Sequence, residues 1–176
     1  MASRGQSHTD HNQTGMKWFA VIDGAQDPRL LSLIQKCAHH VCLISGELHP
    51  DLAPALPWLI ELRPDENLLP VWKRDGTGRN WGIALLSSLD IQHVKLHLKK
   101  FLNAKLPDGT LAMFRFYDPR VMRIYFSAAT PEEIAPWFHG VERFSVESAQ
   151  TGLFHDFHLR GGRIHDGDRA LAGAMA

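Results

Sequence analysis

Twice along this chain an apolar run is broken off and an Asp-Pro pair follows. Trp18-Phe19-Ala20-Val21-Ile22 is stopped by Asp23-Gly24, with Asp27-Pro28 just behind, and Thr110 to Tyr117 runs directly into Asp118-Pro119. An aspartate in that position accepts the free N–H groups of a starting helix, and proline supplies the fixed φ that a first helical turn uses. Each pair therefore predicts a strand that stops and a helix that starts. A chain that repeats the device is committed to packing helices on a sheet. Behind Asp27-Pro28, Leu30, Leu31, Ile34 and Ala38 recur at helical spacing. Behind Asp118-Pro119 the pattern leaves two readings for Val121 to Phe126: a short helix, or a hairpin partner of Thr110–Tyr117.

The remaining segments extend the same alternation. Val41 to Ile44, Pro57 to Leu62, Trp81 to Leu86 and Val141 to Val146 read as strands. Ser87-Ser88 is expected to cap a helix from about Asp90 to Leu102, with Ile91, Val94, Leu98, Phe101 and Leu102 on one stripe and His93, His97 and Lys100 on the flank and back. A short helix is expected around Leu68 to Lys73. Thr130-Pro131-Glu132-Glu133 is a capping box that begins a helix carrying Ile134, Trp137 and Phe138. The expected fold is a single α/β domain over residues 17–147, a mixed β-sheet with packed helices. Residues 1–16 are expected to be a flexible, disordered leader. Residues 148–176 are expected to be a weakly structured C-terminal tail, in which Phe154, Phe157 and Leu159 could dock a short strand.

Composition narrows the function classes. Lysine plus arginine equals aspartate plus glutamate at 19 each, so no net field exists to hold a polyphosphate, which argues against nucleic acid as the main ligand. Two cysteines, Cys37 and Cys42, make neither a zinc pair nor a disulfide framework. Reduced thiols and a polar N-terminus without an apolar export stretch lead to the expectation of a bacterial cytoplasmic protein. No run approaches the roughly 20 apolar residues of a membrane span, so no membrane partner is expected.

Several residue sets invite catalytic readings. His93 and His97 stand four apart on a helix, the spacing of two metal-binding imidazoles, but the glutamate of a metalloprotease motif is missing. His155 and His158 flank Asp156, and His8, Asp10 and His11 sit in the leader. All are read as histidines without metal. Asp23, Asp27 and Asp118 could converge at the carboxyl ends of strands and hold magnesium, which gives the alternative function of a small metal-dependent hydrolase or phosphotransferase. Against it, Asp27 and Asp118 are already accounted for as helix caps, and Asp75-Gly76-Thr77-Gly78 lacks the lysine of a phosphate-binding loop. Ser45-Gly46 and Ser87-Ser88 are not nucleophile elbows. No cofactor is expected.

Arg115 is the most conspicuous single residue. On a strand, Ala112, Phe114 and Phe116 face one way and Met113, Arg115 and Tyr117 the other, which leaves a cation among apolar neighbours unless a carboxylate pairs with it. Asp118 and Asp23 are the candidate partners. Two readings stand side by side: an ion pair that fixes the junction of strand and helix, and a recognition surface presented by Arg115, Asp118 and Arg120.

The ordered blocks resemble the family of type VI secretion effector chaperones, also called adaptors. The opening strand is similar in Trp18-Phe19-Ala20-Val21-Ile22-Asp23-Gly24-Ala25 with Asp27-Pro28, and the second block in Leu43-Ile44-Ser45-Gly46 followed by Pro57-Trp58-Leu59-Ile60-Glu61-Leu62. Trp81-Gly82-Ile83 through Ser87, with His97-Leu98 and Phe101-Leu102, looks like the third. Phe114-Arg115-Phe116-Tyr117-Asp118-Pro119-Arg120-Val121 resembles the signature, and Trp137-Phe138-x-Gly140 the closing helix. The resemblance implies a non-catalytic cytoplasmic protein that binds a secreted effector and helps load it onto the spike protein. Many relatives carry a larger C-terminal lobe, and here residues 148–176 stand in its place. Such a protein would present an apolar or aromatic patch, for which Trp58, Trp72 and Trp137 are candidates, each having burial in the core as its competing fate.

Overall fold

Phe19 and Val21 point to one side of their strand and Ala20 and Ile22 to the other, and all four are removed from water. A strand of that kind belongs in the middle of a sheet covered on both faces. The computed structural model, which describes residues 15–46, 49–150 and 152–170, places it there. In chain order the strands are β1 (Lys17–Asp23), β2 (His40–Cys42), β3 (Pro57–Glu61), β4 (Gly82–Ser87), β5 (Asn103–Lys105), β6 (Leu111–Met113), β7 (Val141–Glu147), β8 (Leu153–Arg160) and β9 (Arg163–Ala170). The helices are α1 (Leu30–Ile34), α2 (Leu68–Val71), α3 (Ile91–Lys99), α4 (Pro119–Ala128) and α5 (Pro131–Ile134). One sheet has the order β2-β3-β1-β4-β7-β8-β9, and β5 and β6 form a separate hairpin.

The period-two alternation of β1 and β4 divides the interior into two cores. On one face Phe19, Val21, Ile83, Leu85, Phe144 and Phe157 meet α3, α4 and α5 through Val94, Leu98, Met122, Phe126 and Ile134. On the other, Ala20, Ile22, Ala84 and Phe154 meet Leu30 and Ile34 of α1, Leu68 of α2, and Trp72. The small side chains of that second face leave room for bulky ones. α2 runs on into a π-helical turn, Trp72–Gly76, where Trp72 and Trp81 close over Gly76. A Cβ on Gly76 would lie 2.6 Å from the Trp72 ring and 2.5 Å from the Trp81 ring.

The α/β layering expected from the sequence is present, and the short helix near Leu68, the helix after Asp118-Pro119 and the capping box at Thr130 all form. Where a mixed sheet was expected, every pairing is antiparallel. The last three strands follow one another through short turns, which permit no other direction. The long connection from β4 to β7 leaves and re-enters at one end of the sheet, with Ser87 opposite Val141.

Three local expectations are corrected. Residues 153–170, expected as weakly structured tail, form a hairpin of two eight-residue strands that extends the main sheet. Its turn is Gly161-Gly162, with positive φ of 56° and 72°, the conformation that a two-residue hairpin turn of the primed type needs. Thr110 to Tyr117 is not one strand: β6 ends at Met113, and Phe116 turns inward to pack against Trp137. The cap of α3 is Asp90, whose carboxylate accepts the N–H groups of Gln92 and His93, while the Ser87 hydroxyl donates to the Gly140 carbonyl and accepts from Leu89 N–H. The expected leader up to Thr14, with His8, Asp10 and His11, lies outside the described residues.

Gly76→Ala should destabilise the fold by about 2 kcal/mol, because a methyl group there overpacks two buried indole rings. Urea denaturation monitored by circular dichroism reads the loss.

Candidate functional site

Asp118 ends the turn after β6 and opens α4. Its carboxylate accepts the Arg120 N–H at 3.0 Å and is gripped by the Arg120 guanidinium, Nε at 2.9 Å and Nη2 at 2.6 Å. Asp27 does the same with the residue two further on. It accepts Arg29 N–H at 2.9 Å, Nε at 3.0 Å and Nη2 at 2.8 Å. Both Asp-Pro pairs are thus Asp-Pro-Arg clamps, in which one carboxylate satisfies a backbone donor and a bidentate guanidinium together. The expected helix cap at Asp27 takes this form one turn early, since α1 begins only at Leu30 with Arg29 before it.

Asp23, at the end of β1 and almost fully buried, accepts from Ala25 N–H, from the Gln26 amide at 2.8 Å and from Arg115 Nη2 at 2.5 Å. Of the two candidate partners for Arg115, the structure selects Asp23. The guanidinium also lies over the Tyr117 ring, 5.8 Å from its centroid, and the Tyr117 hydroxyl donates to Met113 Sδ. Asp23, Arg115, Tyr117, Asp118 and Arg120 thus form one charged and aromatic cluster at the junction of β1, the turn after β6 and α4. Burial pushes the Tyr117 hydroxyl above its ordinary value. Burial also acts to raise Asp118, but the Arg120 hydrogen bonds outweigh it and hold that carboxyl below the usual range.

Asp27 belongs to a different network. Arg29 joins it to Asp75 at 3.2 Å, and Arg79 approaches it at 3.9 Å. The Arg29 hydrogen bonds hold the Asp27 carboxyl at about 2. The carboxylates proposed for the alternative metal enzyme are therefore each engaged by arginine, and among the described residues no group of three or more His, Cys, Asp or Glu side chains is arranged to hold a metal ion. The histidine pairs are likewise occupied. His93 faces the Asp90 carboxylate at 2.8 Å, and buried His97 donates Nε2–H to the Trp137 carbonyl at 2.8 Å. His155 and His158 point to opposite faces of β8, because an odd separation on a strand divides them. Cys37 and Cys42 are free thiols, and burial pushes Cys37 up to about 12, so it is no ready nucleophile.

The tryptophans part company. Trp72 is core, packed edge-on against Phe154. Trp58 is half-buried on β3, its indole N–H donating to Ala53 O and its ring beside His40. Trp137 is buried, and it floors an apolar groove of about 370 Å³ walled by Phe101, Ala104, Phe114 and Tyr125, with Lys100 and Asn103 at the rim. Phe101 stacks on Trp137 with centroids 3.8 Å apart, and Phe114 meets Tyr125 edge-on at 5.2 Å. Met113 and Ile124, next to Phe114 and Tyr125 in sequence, are exposed at 55% and 72%. The sequence reading selected Trp137 but not Phe101, Phe114 or Tyr125. Their convergence depends on how the β5–β6 hairpin folds against α3 and α4, which no local pattern announces.

The sheet is flanked by helices, Asp23, Asp27 and Asp118 are clamped by arginine, and an aromatic groove lies open on one side. Residues 18–135 match the family model described as "Domain of unknown function (DUF4123)", and the chain belongs to that family. This is the family of type VI secretion effector chaperones and adaptors, whose general role is to bind a partner rather than to transform a substrate. The closing block at Trp137–Gly140 and all of β7, β8 and β9 lie beyond the matched residues. No curated protein matches the chain, and no solved structure does. No helix among the described residues is long and apolar enough to cross a membrane.

Arg115→Ala should cost about 2 kcal/mol, since it leaves the buried Asp23 carboxylate without its cation, while Arg115→Lys restores part of that. Chemical denaturation at neutral pH measures both. A second outcome concerns acid. The folded-state value of Asp27 is depressed, so the unfolded chain binds more protons below the ordinary carboxylate range. Its contribution is complete above about pH 4 and is lost as pH falls towards 2. Asp27→Asn should flatten that limb of a stability–pH curve measured between pH 2 and 5.

Proposed function

We propose that the chain is a cytoplasmic adaptor that holds a secreted type VI effector and helps place it on the spike protein, gripping an apolar segment of the effector in the groove over Trp137. The groove carries this reading. It is apolar, open to solvent, and built around a stacked pair of aromatic rings. Aromatic anchors in a preformed depression are the usual source of binding energy at protein interfaces. The cluster of Asp23, Arg115, Tyr117, Asp118 and Arg120 serves the groove indirectly, by fixing the turn that carries Phe114 and the start of the helix that carries Tyr125. Within that cluster Arg115 and Arg120 keep exposed edges, which leaves them open to a partner as well. Trp58 belongs to the far side of the sheet and supports the fold there.

The test is co-expression of the tagged protein with the products of its neighbouring genes, followed by purification in mild salt. An effector, with or without a spike component, should be retained. Tyr125→Glu should weaken retention by about tenfold or more while leaving the melting curve near wild type, as expected when one interface anchor is lost. Recovery of the protein with neither partner would remove the reading.

A further inference from the structure

The main sheet ends at β9, and among the described residues no strand pairs with its outer side. β9 sorts its charges by face. Arg163, His165 and Arg169 point to one side, where Arg160 and Arg143 join them, and Asp166 and Asp168 point to the other. On the basic side, Asp156 takes Arg169 at 2.9 Å and Arg143 at 3.5 Å, and both guanidinium groups lie 5.8 Å from the centroid of Trp18. Arg163 and His165 have no side-chain partner among the described residues. On the acidic side, Asp166 and Asp168 hold His155 between them, each 2.8 Å from a ring nitrogen.

This pattern selects what can pair with the edge. Residues directly opposite one another in a ladder share a face. Two copies of β9 meeting antiparallel about a two-fold axis keep their faces aligned, so no register sets Arg or His against Asp, and the register centred on Asp166 sets Arg163 against Arg169 and Asp166 against itself. Like charges directly opposed are destabilising, and charged edges of this kind keep copies of a protein apart. The complement is an extended segment with acidic side chains on the first face and basic ones on the second. We propose that the outer edge of β9 is a docking site for such a strand from a protein partner, added by β-augmentation, with acidic and basic residues in alternation. The site rests on the reading of the chain as a binding protein, but it is separate from the groove and lies outside the family-matched residues.

The probe is a labelled peptide of four Glu-Lys repeats, and the readout is fluorescence anisotropy at low and moderate salt. It should bind in a salt-sensitive way. The isomer with four glutamates followed by four lysines, and the alternating peptide N-methylated at every Glu and Lys amide, should each bind about tenfold more weakly, the first from lost charge register and the second from lost ladder bonds. The double variant Arg163→Glu, His165→Glu should show a similar loss, and Tyr125→Glu none. Comparing the peptides on the wild-type protein needs no variant to fold, and no effector takes part, so this result stands apart from the retention test. Absence of binding, equal binding of the N-methylated peptide, tighter binding of duplex DNA, or a wild-type dimer in sedimentation that Arg163→Glu dissolves would each overturn the proposal.

Discussion

A carboxylate sealed at the end of the central strand decides where the most distinctive segment of the chain must go. Asp23 is almost without solvent, and a buried anion of that kind has to be met by a cation and by hydrogen bonds. Arg115 comes from 92 residues further along the chain to meet it. Once that pair is made, the chain after β6 is no longer free to run on as a strand. Phe116 is turned into the core, Asp118 arrives at the start of α4, and Phe114 is left on the wall of the groove. Turn, helix start and groove wall are thereby tied to the same buried charge.

The groove floor is fixed from the opposite direction. His97 on α3 ties the Trp137 carbonyl, and Phe101, one turn along, stacks on the Trp137 ring. Burial pushes His97 below its ordinary value, so it remains a neutral donor to that carbonyl at neutral pH. Floor and wall thus belong to different parts of the chain, and each is held by a polar contact that is satisfied inside the protein.

The sequence carried the layering well, because apolar alternation and Asp-Pro caps are local signals. It also carried the family, through blocks whose order is itself informative. What it hid was of two kinds. Some signals were present and passed over. The arginine after each Asp-Pro turns a cap into a clamp, and Gly161-Gly162 is a hairpin turn in plain view, between residues whose charges disguised two strands as a loose tail. Other features depend on distance. That Arg115 chooses Asp23 over its near neighbour Asp118 follows from Asp118 already being occupied by Arg120. That His97 faces the interior and not the flank follows from a carbonyl 40 residues away. Neither fact is written in any window of the chain.

The contact of Gly76 with two indole rings bears on how such a protein can change over time. The side of the sheet beneath Trp72 and Trp81 is filled by matching large rings against positions with almost no side chain. A single enlargement there meets rings that have nowhere to move, and a single reduction of a ring leaves a void. Substitutions on that side are acceptable mainly as coordinated pairs, so its residues should drift together or not at all. The opposite face, where branched and aromatic side chains of middling size share the space among many neighbours, can absorb single steps. The two halves of one interior should therefore differ in how readily they accept a single substitution.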